Sequence, residues 1–464
     1  MVTGAPARLE RLEPQDAERR QRRAAGALRR AGLEPGDRAA FCLGSSAALL
    51  CAVLGALRRG IVPVLLNATL LPEERDVLLA DADPALTVLD GRALDELDEG
   101  DEEDLADVPL ARPMHYTSGT TGRAKGVWSG LLDDKAAQDL FDDEADVWGF
   151  DADDTHLVCS PMYHSVSVRF AAGTLLRGGT LLVLSHFDAA SAAAALTRFR
   201  PTTTFMAPTA LGRLLRHPGT PPVLDSLRFL AHAGSPCPRP LKEEALARTA
   251  PGALWEFYGS TEGQFTVCPP DEWSAHPGTV GRARPKRRLS VDEAGVVWCE
   301  APSFARFRYW RDDEATAQAW RGDAFTVGDL GRLDADGYLY LEGRREDLVI
   351  TGGVNVYPAE IEAVLARVPG VEEVAVFGVD DEDWGQRLCA AVVGGAPEQR
   401  LRRHADAHLA PYKRPKTYVR LPGLPRTSTG KLLRRQLAEQ LHNQASDRAH
   451  SSPRCPSEPS RGGT

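Results

Sequence analysis

Short apolar runs alternate along this chain with longer stretches in which apolar positions recur at helical spacing. Residues 38–43 read as a strand, 45–59 as a helix and 61–66 as a second apolar strand. That is a βαβ rhythm, and it implies a parallel sheet with helices on its faces. The alternation resumes further on: 155–160, 180–184, 202–207, 227–231 and 254–258 each read as a short strand, with helical stretches between them. Residues 17–30 predict a basic amphipathic helix with Asp16 as its N-cap and Gly32 just past its end, followed by a Pro35-Gly36 turn. The acidic run 95–107 reads as a solvated loop.

From 282 to 308 the pattern becomes hairpin-like, with Asp292-Glu293-Ala294-Gly295 as a turn, and Asp334-Ala335-Asp336-Gly337 makes another. A smaller unit follows Arg344-Arg345-Glu346-Asp347. It predicts a helix at 358–368, strands at 371–379 and 388–393, a helix at 399–409 and a basic segment at 412–420. Beyond 442 the chain is rich in Ser, Pro, Arg and Gly and reads as a disordered tail.

Composition narrows the class. At 464 residues the expectation is one large and one small domain, and an apolar share of 43% is enough for a large core. A formal charge of -10 argues against a general nucleic-acid binder and requires local cations to hold any anionic ligand. The eight cysteines are scattered without a C-x-x-C pair, which fits a reduced cytoplasmic compartment better than a disulfide or zinc framework. Residues 8–30 lack the apolar run of a signal peptide, and the apolar stretch 47–57 is too short to span a bilayer.

The chemistry is most visible at residues 116–126. Thr117, Ser118, Thr120 and Thr121 are interleaved with Gly119, Gly122 and Gly126, and Lys125 is the cation near the end. Small side chains, hydroxyl donors and free backbone N–H groups suit such a loop to wrapping a polyphosphate, although it does not fit the Walker A pattern. Strand-like flanks at 113–116 and 127–128 favour a phosphate loop over a flexible linker.

Further motifs follow in order: Ser160-Pro161-Met162-Tyr163-His164-Ser165, Tyr258-Gly259-Ser260-Thr261-Glu262-Gly263, Gly328-Asp329, Gly343-Arg344, Gly352-Gly353-Val354-Asn355 and Pro425 to Lys431. The series resembles the adenylate-forming superfamily of acyl-CoA synthetases, peptide-synthetase adenylation domains and luciferases, from about Gly36 to Leu437. In look it is nearest to bacterial fatty-acyl and steroid-side-chain CoA ligases.

The resemblance implies an α/β fold: a large N-terminal domain of stacked sheets with a β-barrel-like portion (1–345), a small mobile α+β domain (346–441) and a tail (442–464). It implies ATP, Mg²⁺ and CoA as cofactors and a small carboxylic acid as partner, with no nucleic acid and no membrane span, in a monomer or homodimer. A carboxylate would attack the α-phosphate of ATP, and a thiol would then displace AMP. Transfer to a carrier protein or an amine, or adenylation of a small oxyanion such as nitrite, remains open.

Residue by residue, the resemblance places the loop Thr117 to Gly122 and Lys125 on the β- and γ-phosphates. Gly234, Ser235, Pro236, Tyr258 and Gly259 fall around adenine, Asp329 and Arg344 on ribose, and Thr261 on the α-phosphate. Glu262 matches a Mg²⁺ ligand, His164 a gate to the acyl pocket, Glu346 a hinge, Gly352 and Gly353 the pantetheine tunnel, and Lys431 the catalytic cation.

Several departures stand out. Ala124 replaces the usual loop proline, the N-terminus looks shortened, and the 282–297 hairpin is trimmed. Arg169 follows His164 where small or apolar residues are usual. If it faces the pocket the acid is polar or anionic; otherwise it points outward or pairs with a carboxylate.

Overall fold

The computed structural model describes residues 6–117, 124–344, 347, 349–351, 354–356, 358–381, 385–409, 411–426 and 432–441. Ser118, Gly119, Thr120, Thr121, Gly122, Glu346, Gly352, Gly353 and Lys431 lie outside the described residues, as do the side chain of Arg344 and the tail from 442. Residues 1–341 and 342–464 form two compact units.

The first unit is built on two six-stranded sheets. In one, the order is Leu9–Leu12, Thr180–Leu184, Thr155–Val158, Thr203–Met206, Phe229–His232 and Leu254–Glu256. All neighbours in it run parallel except Leu9–Leu12, which is antiparallel to Thr180–Leu184. In the other, the order is Arg308–Tyr309, Lys125–Trp128, Met114–Thr117, Val62–Leu65, Arg38–Phe41 and Leu86–Val88.

One continuous core takes Val158, Leu181 and Val183 from the first sheet and Phe41, Val64 and Met114 from the second. Between them lies helix Ala47–Arg58, buried at nearly every position, which is why its sequence is apolar all round. Ser46 caps it by accepting from the Leu49 N–H at 3.1 Å.

The helix expected at 17–30 runs Pro14–Arg30, with Glu13 rather than Asp16 at the N-cap, because Pro14 has the fixed φ that opens a helix. Asp16 lies within the first turn and accepts from Arg19 at 3.0 Å. Strand Leu9–Leu12 was not foreseen in the sequence, because four residues carry too little alternation to stand out.

The acidic run is not simply solvated. Its first residues fall in helix Gly91–Asp98, and its carboxylates grip the basic helix: Asp98 pairs with Arg20 at 2.8 Å, Asp101 with Arg30 at 2.9 Å and Asp104 with Arg22 at 2.8 Å. Contact is close enough that a Cβ on Gly26 would sit 1.9 Å from the Asp101 carbonyl oxygen, and one on Gly100 would sit 1.9 Å from that of Arg23.

The expected hairpin turn at 292–295 forms. Asp292 accepts from the N–H groups of Ala294 and Val296 at 3.1 and 3.0 Å, and Gly295 takes the left-handed conformation at φ 80°. Strands Arg288–Val291 and Val297–Glu300 flank it and extend into a four-stranded antiparallel sheet.

The second unit has its own core of Val356, Ile361, Leu365, Val376, Leu388 and Leu401. Its long hairpin, Val371–Asp381 with Gly385–Gly394, is packed by helices Pro358–Leu365 and Glu398–His408. Among the described residues no helix is long and apolar enough to cross a membrane.

Two predictions follow from this packing. An exposed helix-interior Gly→Ala change gains about 1 kcal/mol, but Gly26→Ala is expected to lose about 1–3 kcal/mol, because the new methyl meets backbone that cannot yield. Thermal melts of the two proteins decide the sign.

His115, His156 and His232 are 4%, 2% and 0% exposed. Burial pushes His115 down to about 3, His156 to about 4 and His232 well below its ordinary value. A depressed folded-state pKa means stability is complete above the unfolded value near 6.5 and is lost as pH falls toward the folded value. From pH 7 to pH 5 His115 and His156 are each expected to remove about 2 kcal/mol, and His232 acts in the same direction. Urea midpoints that do not move over that range would contradict this.

Candidate active site

The first sheet delivers its strand ends to one place. Strands Phe229–His232 and Leu254–Glu256 run parallel and end side by side, so Gly234-Ser235-Pro236 and Tyr258-Gly259 leave the same edge. Crevices beyond the carboxyl ends of parallel strands are where open α/β sheets bind ligands. Gly234 adopts φ +91° with open space where a side chain would be, and Ser235 and Pro236 are exposed.

Residues 258–266 then close on themselves. The Tyr258 carbonyl accepts from the N–H groups of Phe265 at 2.9 Å and Thr266 at 3.1 Å, and the Ser260 N–H donates to Gly263 at 2.9 Å. Gly259 lies opposite Gln264, where a Cβ would come within 2.9 Å of the Gln264 Cα, so no larger residue fits.

The closed turn aims three side chains apart. Tyr258 donates its hydroxyl to Asp329 Oδ2 at 2.6 Å, the length of a charge-assisted bond. Asp329 opens strand Asp329–Leu333 and is buried. Glu262, also buried, accepts from the Tyr309 hydroxyl at 2.9 Å. Thr261 is half-buried beside it. Gln264 points toward Arg169 and Arg284.

The second sheet brings the loop strands to the same tyrosine. Thr117 pairs with Lys125 across strands Met114–Thr117 and Lys125–Trp128, which fixes both ends of the segment that contains residues 118–123. Lys125 Nζ lies 5.0 Å from the centre of the Tyr309 ring, a cation–π contact. Val127 pairs with Tyr309 itself. Tyr309 thus connects Lys125 and Glu262, a role with no motif in the sequence to announce it.

His164 is the N-cap residue of helix Ser165–Leu176, and burial pushes its imidazole down to about 4, so it is neutral at pH 7. The neighbouring Tyr163 carbonyl lies 2.9 Å from His115 Nδ1. Arg169, five residues into that helix, does not point outward. Its side chain is 19% exposed and donates to Gln264 Oε1 at 3.1 Å, with Glu144 3.9 Å away.

Of the residues in the second unit, Arg344 ends strand Leu339–Arg344. Lys431 lies outside the described residues, and the described residues before and after it pair with one another. Arg426 and Leu432 form an antiparallel bridge, and the Leu433 N–H donates to the Pro425 carbonyl at 2.9 Å. Arg434 then binds Glu362 at 2.8 and 2.9 Å, Asp347 at 2.9 Å and the Val376 carbonyl at 3.0 Å.

Among the described residues no three His, Cys, Asp or Glu side chains converge as a metal cage. Glu262 gives a single buried carboxylate with one oxygen held by Tyr309. That fits Mg²⁺, which takes one or two carboxylates and completes its shell with phosphate oxygens and water.

Comparison with known proteins agrees with this geometry. The AMP-binding enzyme family model matches residues 8–112 and 112–298, and the AMP-binding enzyme C-terminal domain model matches 360–431. The chain is 31% identical to the 2-succinylbenzoate–CoA ligase of Geobacillus sp. (strain WCH70), covering 90% of each chain. It is 30% identical to the long-chain-fatty-acid–CoA ligase FadD13 of Mycobacterium tuberculosis, covering 90% of this chain and 91% of that one. Its fold superposes on ATP-bound MatB from Rhodopseudomonas palustris with a TM-score of 0.82 at 31% identity over 93% of both chains. With strand ends, closed turn and family models in agreement, the chain belongs to the AMP-binding enzyme family, the adenylate-forming superfamily of AMP-forming ligases.

Proposed function

We propose that this protein is an ATP- and Mg²⁺-dependent acid:CoA ligase acting on a small polar or anionic carboxylic acid. The observation that carries the reading is the closed turn 258–266, which sends Tyr258 to Asp329 and Glu262 to Tyr309 beside Lys125.

Tyr258 presents its ring to adenine, with the Gly234-Ser235-Pro236 backbone alongside. Its hydroxyl holds one oxygen of Asp329, turning that carboxylate to accept the ribose hydroxyls, and Arg344 supports the same sugar. Thr261 donates to the α-phosphate. The hydroxyls and backbone of residues 117–122 and the Lys125 charge hold the β- and γ-phosphates.

Glu262 would hold Mg²⁺, which when bound neutralises phosphate charge. The neutral His164 borders the acid without exchanging a proton with it.

Lys431, in residues 342–464, takes the role of the cation that offsets charge on the acid's carboxylate and the α-phosphate during adenylation. Gly352 and Gly353 give the pantetheine arm of CoA backbone clearance. Glu346 is the joint between the two half-reactions.

In the first half-reaction a carboxylate oxygen bonds to the α-phosphorus as the bond to the β-phosphate oxygen breaks and pyrophosphate leaves. In the second, the CoA thiol sulfur bonds to the carbonyl carbon, the carbon–oxygen bond breaks with AMP as leaving group, and the thiol proton passes to solvent. Neither step needs a protein nucleophile, so rate comes from positioning and charge.

Lys431→Ala is expected to lower ATP–pyrophosphate exchange by about 100- to 1000-fold while leaving the ATP dissociation constant within a few-fold. Unchanged exchange would remove Lys431 from the chemistry. Glu262→Gln is expected to keep the Tyr309 contact and raise the Mg²⁺ concentration needed for half-maximal exchange about 10-fold or more. An unshifted Mg²⁺ profile would mean the ion is held elsewhere.

A further inference from the structure

Behind the closed turn lies a buried cluster of charges. Arg284, 1% exposed, donates to the Asp143 carbonyl and carboxylate at 2.8 Å, to Glu144 at 3.1 Å and to Gln264. Arg287 takes both oxygens of Asp143 at 3.2 and 3.0 Å. Glu144 spends its other oxygen on the Trp148 indole N–H at 2.8 Å. Both carboxylates, on helix Asp134–Trp148, are therefore already engaged.

Two further guanidinium groups remain. Arg169 hydrogen-bonds the neutral Gln264 and, among the described residues, reaches no carboxylate oxygen closer than the 3.9 Å to Glu144. Arg112 has a carbonyl, that of Ala305, at 3.4 Å, and no carboxylate within ion-pair distance among the described residues. Burial, and next the Arg169 charge, push the Arg112 guanidinium down to about 10. Burial also lowers Arg169, with Glu144 opposing.

A third group on this side is incomplete. His115 Nδ1 faces a carbonyl, which can only accept, so Nδ1 bears the proton and the buried Nε2 is a bare acceptor with no partner among the described residues. Under-compensated guanidinium charge out of water is costly, and an incoming anion relieves it.

Resting on the ligase reading above, we propose that Arg169, supported by Arg112, forms a subsite for a second anionic group on the acid that is activated. The substrate is then an acid with two negative charges, one on the carboxylate that reacts and one held at Arg169.

The test uses the full-length protein and ATP–pyrophosphate exchange on matched acids: succinate against butyrate, glutarate against pentanoate, phthalate against benzoate. The best diacid is expected to exceed its monoacid partner in kcat/KM by about 100-fold. Arg169→Leu should cut the diacid value by about 10- to 100-fold, leave or raise the monoacid value and leave KM for ATP unchanged, with Arg169→Lys recovering part of the loss.

A wild-type preference for monoacids overturns the subsite, as does an Arg169→Leu loss that is equal for both members of a pair. If Arg169→Leu does not fold, the wild-type ratio decides alone. Exchange with no acid, by protein that still binds ATP, overturns the ligase reading and the subsite with it.

Discussion

Everything at the site depends on residues 258–266 folding back on themselves. The turn is closed by backbone bonds to the Tyr258 carbonyl, and it can close only because Gly259 offers no Cβ to Gln264. From that fixed base the side chains radiate: Tyr258 to Asp329, Glu262 to Tyr309, Gln264 to Arg169 and Arg284. Three separate groups of side chains are thus set by one short segment. A shift of the turn would disturb all of them at once.

Charge is distributed to match. The protein carries a net -10, so an anionic nucleotide and acid are held by local arrangements rather than by the overall field. Lys125 leans on the Tyr309 ring, which holds its ammonium without neutralising it. Elsewhere opposite charges cancel: the acidic run at 98–104 is matched by the arginines of helix Pro14–Arg30. At Arg169 and Arg112 the cancellation is incomplete among the described residues.

What was legible in the sequence was local. The βαβ rhythm before residue 70 and the Asp292 turn are each written in a few adjacent residues, and they appear where expected. What escaped was long-range. Nothing near Asp101 says that it will lie against Gly26, and nothing near Tyr309 says that it will meet Glu262, since both contacts exist only once the sheets have formed. The direction of Arg169 was likewise undecidable until Gln264 and Glu144 were placed. The density of cations at Arg284, Lys286 and Arg287 is a visible signal for that cluster.

The most direct measurement of the central claim follows an oxygen atom. A carboxylic acid labelled with ¹⁸O in its carboxylate, incubated with the protein, ATP, Mg²⁺ and CoA, should transfer one labelled oxygen to AMP. Attack on the α-phosphorus makes that oxygen part of the phosphate, and thiol attack at the carbonyl leaves it there. Mass spectrometry showing ¹⁸O in AMP at the rate of thioester formation is the predicted result. Unlabelled AMP, or label in ADP or inorganic phosphate, would contradict adenylation as the reaction this fold performs.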